Sequence, residues 1–540
     1  MGDMGEPVWR SMARERRKAQ AESIPQPWRL KSTPDFKSAI PIIESCGILS
    51  PLELEITNTI DASQLSLKIR SRTWTSEQVA TAFCKRAAIA QQLTGCCTEM
   101  MFDTAIEEGK TQDAYLEKTG KLVGPLHGIP LSLKDSHEIA GIDTTLGWVG
   151  LIGKPAERDN MAVTQYRSLG AILYCKTNIP QSLMMSDSYN HVFGQSINSL
   201  NRNLISGGSS GGEGAILGAR ASVIGIGTDI GGSIRIPAVL QGLYGLSPTI
   251  GRIPNRESGR SQKYVVPPVA GPMATSLASI EMFMESYSSI SPWTTDPQIF
   301  PIPWRKELTS ISRPLKMGYI LDDGVVRCQP PIQRAMREMI EKLKKAGHEV
   351  FEWDSLSHRF AYFDLWLKAV LADGGQRCAD LCKLVDEPLI PGMLVGQQED
   401  ILSVPQRQAL AEKIWDYQRH YLKRWMDSEI DAILMPVTPW VGMKPKTWVQ
   451  SKQYCGYTSI WNLLNYTALA IPAGVVDRKL DEPDEVWKTY QGNGFSDQFN
   501  HDQYDLDLVD GMPVGLQIIT GRFGEEKSVA IAKVIDALIP

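Results

Sequence analysis

The sequence predicts a layered α/β fold, and three observations predict it. Across residues 124–249 short strand-like runs alternate with helix-like runs. The order helix, glycine, strand occurs near residues 161–175 and again near 332–353. Two glycine-serine segments, 206–213 and 225–235, connect regular elements instead of filling a linker. At 540 residues the chain exceeds the usual single-core size and buries a substantial interior. Its 43% hydrophobic and 22% charged residues, with 45 glycines and 33 prolines, are those of a globular protein with many tight turns.

In chain order, residues 1–60 are polar and proline-punctuated, with a charged segment at 11–22. They are expected to form a partly helical arm packed on one large domain spanning 61–540. Thr75-Ser76-Glu77-Gln78 has the form of a capping box, and Val79, Phe83 and Ala90 follow at helical spacing, so a helix to about Leu93 is expected. Leu131-Ser132-Leu133 reads as a strand. A helix from Met161 stops at Gly170, where positive φ is free of steric cost, and a strand at 171–175 follows. Ser210 and Glu213 make a second capping-box pattern, with a strand at 222–226 behind it. Further strands are expected at 432–437, 469–471 and 514–519. Residues 477–510 hold ten acidic and three basic residues and read as a polar surface loop.

Composition also excludes function classes. A formal charge of −5 gives no global reason to bind nucleic acid. No run of about 18 apolar residues supports a membrane span. The basic residues Arg10 to Lys18 precede no apolar core of a signal peptide, so a cytoplasmic location is expected. Nine cysteines at irregular spacing fit a reduced compartment. Cys96 and Cys97 are adjacent, and Cys378 and Cys382 lack a second ligand pair, so neither a metal nor another cofactor is expected. The expected partner is a small molecule, and a homodimer is compatible with this reading.

In both glycine-serine segments side-chain bulk is stripped away around a serine, which lets a substrate carbonyl approach backbone N–H groups. A phosphate loop would need lysine after its last glycine, and a dinucleotide fingerprint needs G-x-G-x-x-G after a strand; neither occurs. Plain flexible loops stay open as an alternative. A serine nucleophile needs a base. His127, His137 and His191 stand alone, with no G-x-S-x-G elbow. Lys134, ending the strand at 131–133, is the stronger candidate if burial lowers its pKa from about 10.4.

These residues resemble the amidase signature family, in particular its fungal acetamidase-like branch. The resemblance rests on Gly-Gly-Ser-Ser-Gly-Gly-Glu-Gly at 207–214, Gly-Thr-Asp-Ile-Gly-Gly-Ser-Ile-Arg at 227–235 and Gly-Pro-Leu-His-Gly-Ile-Pro-Leu-Ser-Leu-Lys-Asp at 124–135. It implies a mixed β-sheet covered by helices on both faces. It also implies Ser233 as nucleophile, Ser209 as proton relay after a cis peptide from Gly208, and Lys134 as base. Oxyanion donors would be the N–H groups of Ile230, Gly231, Gly232 and Ser233, and Leu183 would touch substrate. Asp229 and Arg235 flank the nucleophile and are expected to pair across the turn in its support. The implied activity is hydrolysis of a small carboxylic amide through an acyl-enzyme. An amidotransferase-like subunit passing ammonia to a partner, or a non-catalytic binding protein with the same fold, are the alternatives, and ester hydrolysis is compatible with the same groups.

Overall fold

The computed structural model describes residues 6–254 and 265–539, so the first five residues of the expected arm lie outside it. Eleven strands form one sheet: β1 Cys97–Met100, β2 Pro130–Lys134, β3 Ile172–Thr177, β4 Ile224–Asp229, β5 Tyr244–Ser247, β6 Val269–Ala274, β7 Lys316–Tyr319, β8 Glu349–Glu352, β9 Ala432–Pro436, β10 Ala468–Val475 and β11 Pro513–Ile519. Their spatial order is β1-β3-β2-β4-β6-β5-β10-β11-β9-β7-β8. β3, β2 and β4 are mutually parallel, as are β9, β7 and β8, while the strands between the two groups pair antiparallel. The sheet is thus mixed.

Helices cover both faces. Strand alternation sends Leu131, Leu133, Ile224 and Ile226 into one apolar layer, with helices Ser76–Thr94 (Val79, Phe83) and Met161–Ser168 (Val163, Tyr166) against it. The opposite layer holds Ile172 and Tyr174 of β3 with Ala215, Ile216 and Leu217 of helix Gly211–Gly218. Ser132 and Lys134, out of phase with the leucines, therefore face that second helix side.

The helix at Ser76–Thr94 starts on a complete capping box between Thr75 and Gln78 and ends at Gly95 in the left-handed region (φ 64°). The second capping-box pattern behaves otherwise: the Ser210 side chain makes no cap bond. Its hydroxyl meets the backbone of Thr228 instead, and Glu213 is drawn off by the hydroxyls of Ser132 and Thr177. Polar groups buried against a sheet bond there first, because leaving them unpaired costs more than a terminal cap contributes.

Two other expectations change. β4 runs to Asp229, beyond the expected end at Ile226, because Gly227, Thr228 and Asp229 continue the ladder against β6; Gly227 sits where a Cβ would lie 2.9 Å from Ser210 Oγ. Residues 477–510 are not a bare loop. They carry three short helices, Glu485–Lys488, Phe495–Asp502 and Leu506–Val509, and bury Asp481, Trp487, Asp497 and Asn500. Acidic groups are accommodated because each buried one finds donors: Asp481 takes the Arg334 guanidinium, and Asp497 the Tyr490 hydroxyl.

The expected N-terminal helix is Val8–Ser23, lying beside β1. Arg16 pairs with Glu99, and the buried Gln20 amide donates to the Cys97 and Thr98 carbonyls. Among the described residues no helix is long and apolar enough to cross a membrane, and no group of three or more His, Cys, Asp or Glu could hold a metal ion. All nine cysteines are free.

Candidate active site

Lys134 ends β2, and Thr228 and Asp229 end β4, its parallel neighbour. The carboxyl ends of adjacent parallel strands are where α/β sheets place reactive groups. Lys134 is fully buried, yet its Nζ has fixed partners: Ser209 Oγ at 2.8 Å, Thr228 Oγ1 at 2.8 Å and the Thr228 carbonyl at 3.3 Å. Thr228 escaped the sequence reading as an individual residue, although it lies inside one of the quoted motifs. The adjacent Asp135 is engaged elsewhere, paired with Lys176 at 3.1 Å.

The peptide between Gly208 and Ser209 is cis. Gly208 lies against the 185–187 segment, where a Cβ would fall 2.5 Å from the Met185 carbonyl oxygen. Ser209 is 2% exposed, whereas Ser233 is partly open to solvent. The two serine segments are joined through backbone, Ser210 N–H donating to the Ser233 carbonyl at 3.2 Å. Ser233 Oγ itself bonds to no described residue, so the Ser233 to Ser209 contact is not formed in this structure.

The turn from Asp229 to Arg235 is organised by one carboxylate. Asp229 accepts from Gly232 N–H (2.8 Å), Ile234 N–H (3.0 Å), Asn462 Nδ2 (2.9 Å) and the Arg235 guanidinium (3.0 and 3.1 Å). Burial pushes the Asp229 carboxyl up, but the Arg235 charge and these donors outweigh it and hold the group below the usual carboxylate range. Arg235 continues to Gln517 Oε1, the Thr458 carbonyl and Asn462 Oδ1, all buried. The pair expected at 229 and 235 is therefore the centre of a buried network reaching β11 and the helix Gly456–Leu464. Asn462, Thr458 and Gln517 carried no local signal; they lie more than 220 residues from Arg235 in sequence.

The N–H groups separate by use. Gly232, expected among the oxyanion donors, directs its N–H to Asp229, because the carboxylate in the turn takes the nearest donors. Among the described residues, Ile230, Gly231 and Ser233 donate to no protein acceptor. Leu183 and Ser182 both take positive φ, 68° and 70°, a conformation uncommon for such residues. Leu183 packs with Leu146, Trp148 and Ile179, at the start of the segment that reaches Gly208.

Beneath this site Glu213 is fully buried. Burial pushes its carboxyl up to about 7, against the opposing effect of hydrogen bonds from Ser132 Oγ (2.6 Å) and Thr177 Oγ1 (2.8 Å). No described histidine ring bonds either serine. Burial drives His137 down to about 4, and its Nδ1 lies 3.2 Å from the Lys134 carbonyl oxygen.

A family model described as amidase matches residues 78–529. An acetamidase of Emericella nidulans is 36% identical over 547 residues, covering 98% of this chain and 98% of the relative. An acetamidase of Aspergillus oryzae is 35% identical over 552 residues, covering 98% and 99%. Among solved structures, a fatty acid amide hydrolase superposes with a TM-score of 0.91 at 33% identity, covering 98% of this chain and 95% of that one. The mixed sheet with its two helical layers is the amidase signature fold.

Proposed function

The chain belongs to the amidase family, and on that premise we propose that it hydrolyses a small linear carboxylic amide through an acyl-enzyme on Ser233. The observation that carries the reading is the 2.8 Å contact between Lys134 Nζ and Ser209 Oγ, fully buried at the strand ends below the Ser233 turn. A buried amine in contact with a hydroxyl at the end of a strand can serve as base and relay together, a role otherwise filled by histidine.

Neutral Lys134 takes a proton from Ser209 as Ser209 takes one from Ser233, whose Oγ forms a bond to the amide carbon. This requires Ser233 to turn toward Ser209 when substrate fills the site, the tightening expected between free and loaded enzymes. Charge gathers on the carbonyl oxygen, where the N–H groups of Ile230, Gly231 and Ser233 are available to it; a donor of this kind is worth about 3–4 kcal/mol. The C–N bond breaks as the proton returns from Lys134 through Ser209 to the departing nitrogen. Water then attacks the ester carbon by the same route, releasing acid and restoring Ser233. The acetamidase relatives support a short aliphatic acyl group.

The test is hydrolysis by the purified chain of an amide panel including acetamide, with ammonia and free amine both quantified. Turnover without a partner protein is expected, together with covalent labelling by a fluorophosphonate that disappears in Ser233→Ala. Full labelling of that variant would reject Ser233 as the nucleophile.

A further inference from the structure

Two side chains from distant parts of the chain grip consecutive carbonyls of the turn that carries Ser233. The Trp366 indole N–H donates to the Ile230 carbonyl at 2.9 Å, and the Thr458 hydroxyl donates to the Gly231 carbonyl. We infer that Trp366 and Thr458 are positioning residues for acyl transfer, holding the 230–233 turn so that its uncommitted N–H groups meet the oxygen on which charge develops. The inference rests on the reading of Ser233 as nucleophile.

The peptide bonds of this turn are trans, so each carbonyl and the N–H that follows it point in opposite directions. Drawing the Ile230 carbonyl to Trp366 therefore sends the Gly231 N–H the other way, where it meets no described acceptor. The next peptide is held at both ends, its carbonyl by Thr458 and its N–H by Asp229. The Gly232 carbonyl is taken by Ile236 N–H at 2.7 Å, which leaves the Ser233 N–H outside the helix that begins at Arg235.

Space enforces the same arrangement. A Cβ on Gly231 would lie 2.7 Å from Trp366 Cζ2, and one on Gly232, at φ 124°, would lie 2.4 Å from Thr458 Oγ1. The indole is fixed in turn. It is 1% exposed, stacks on Tyr362 with centroids 5.6 Å apart, and closes the π-helical turn Ala361–Trp366, a distortion frequent at functional sites. Donors fixed in advance stabilise a developing oxyanion because they need no reorganisation during the reaction.

An alkyl fluorophosphonate tests this without the natural amide: the Ser233 Oγ–P bond forms as P–F breaks, fluoride leaves, and the serine proton passes to Lys134 through Ser209. Trp366→Phe keeps a ring and removes the donor; Thr458→Val removes the hydroxyl and Thr458→Ser restores it. Trp366→Phe and Thr458→Val are each expected to lower the maximal labelling rate about tenfold, a fraction of the 10²–10³ lost with a whole donor. Reagent affinity should stay within about twofold, and Thr458→Ser should label within about twofold of wild type. A wild-type maximal rate in either disruptive variant, or a loss confined to reagent affinity, would overturn the inference. If Trp366→Phe proves insoluble, the two Thr458 variants decide: equal rates for Ser and Val overturn it. Full labelling of Ser233→Ala would sink the nucleophile reading instead, whereas unlabelled Ser233→Ala beside fast Trp366→Phe sinks the clamp alone.

Discussion

Lys134 and Ser209, 75 residues apart in sequence, share a buried 2.8 Å hydrogen bond across the ends of two structural segments. If the pair works as one unit, Lys134→Ala should lower kcat/KM by about 10²–10⁴-fold, the usual worth of a positioned base. The double variant with Ser209→Ala should lose little more than either single variant. Steady-state kinetics on a hydrolysed amide checks both statements, and additive losses would dissolve the unit.

Arg235 is the cation of the Asp229 network, and both side chains are fully buried. Arg235→Ala leaves a carboxylate and three further acceptors without their partner, so a destabilisation of about 3–5 kcal/mol is expected. The denaturation midpoint and the yield of soluble protein should fall with the rate. An unchanged midpoint would mean that the network does not support the fold.

Glu213 makes stability depend on pH in a stated direction. Its folded carboxyl titrates at about 7, while an unfolded glutamate titrates at about 4.3. The folded chain therefore holds this proton more tightly. The associated stability is whole below the unfolded value and is lost as pH rises through 7. Glu213→Gln, which does not titrate, should gain on wild type between about pH 5 and pH 8, by at most about 3 kcal/mol. Thermal midpoints at the two pH values measure the gap; a constant difference would refute it.

Thr75 and Ser210 look alike in sequence but differ in use. Thr75→Ala should cost about 1 kcal/mol through loss of a complete capping box, with kcat/KM unchanged. Denaturant unfolding and kinetics on the same preparation test this, and a catalytic defect without destabilisation would contradict it.

The parts legible in sequence are those that local chemistry decides. Thr75 and Gln78 mark a helix start, Gly170 a helix end, and the leucines at 131 and 133 a strand with Ser132 and Lys134 on its other face. Ser209 and Ser233 stood out because glycines surround them. What stayed hidden is set by tertiary approach. Glu213 was readable as a cap until the sheet supplied Ser132 and Thr177, and Trp366 and Thr458 reach the turn from 136 and 227 residues away. Gly232 was readable as an oxyanion donor, but only the fold shows Asp229 turned back onto its N–H. The acidic 477–510 stretch misled because charge count alone says nothing of Arg334 waiting for Asp481.

The helix Val8–Ser23 closes an opening that the sheet would otherwise leave. β1 is the terminal strand on its side, and an unpaired edge is a template on which another chain can add a strand. Gln20 occupies two of its carbonyls, and Arg16 ties down the same strand at Glu99. The far edge, β8, is defended differently, by the exposed charges of Glu349 and Glu352. A chain shortened by its first 24 residues would keep every group at the candidate active site and yet bare one sticky border, so its characteristic failure should be self-association in solution before any loss of chemistry.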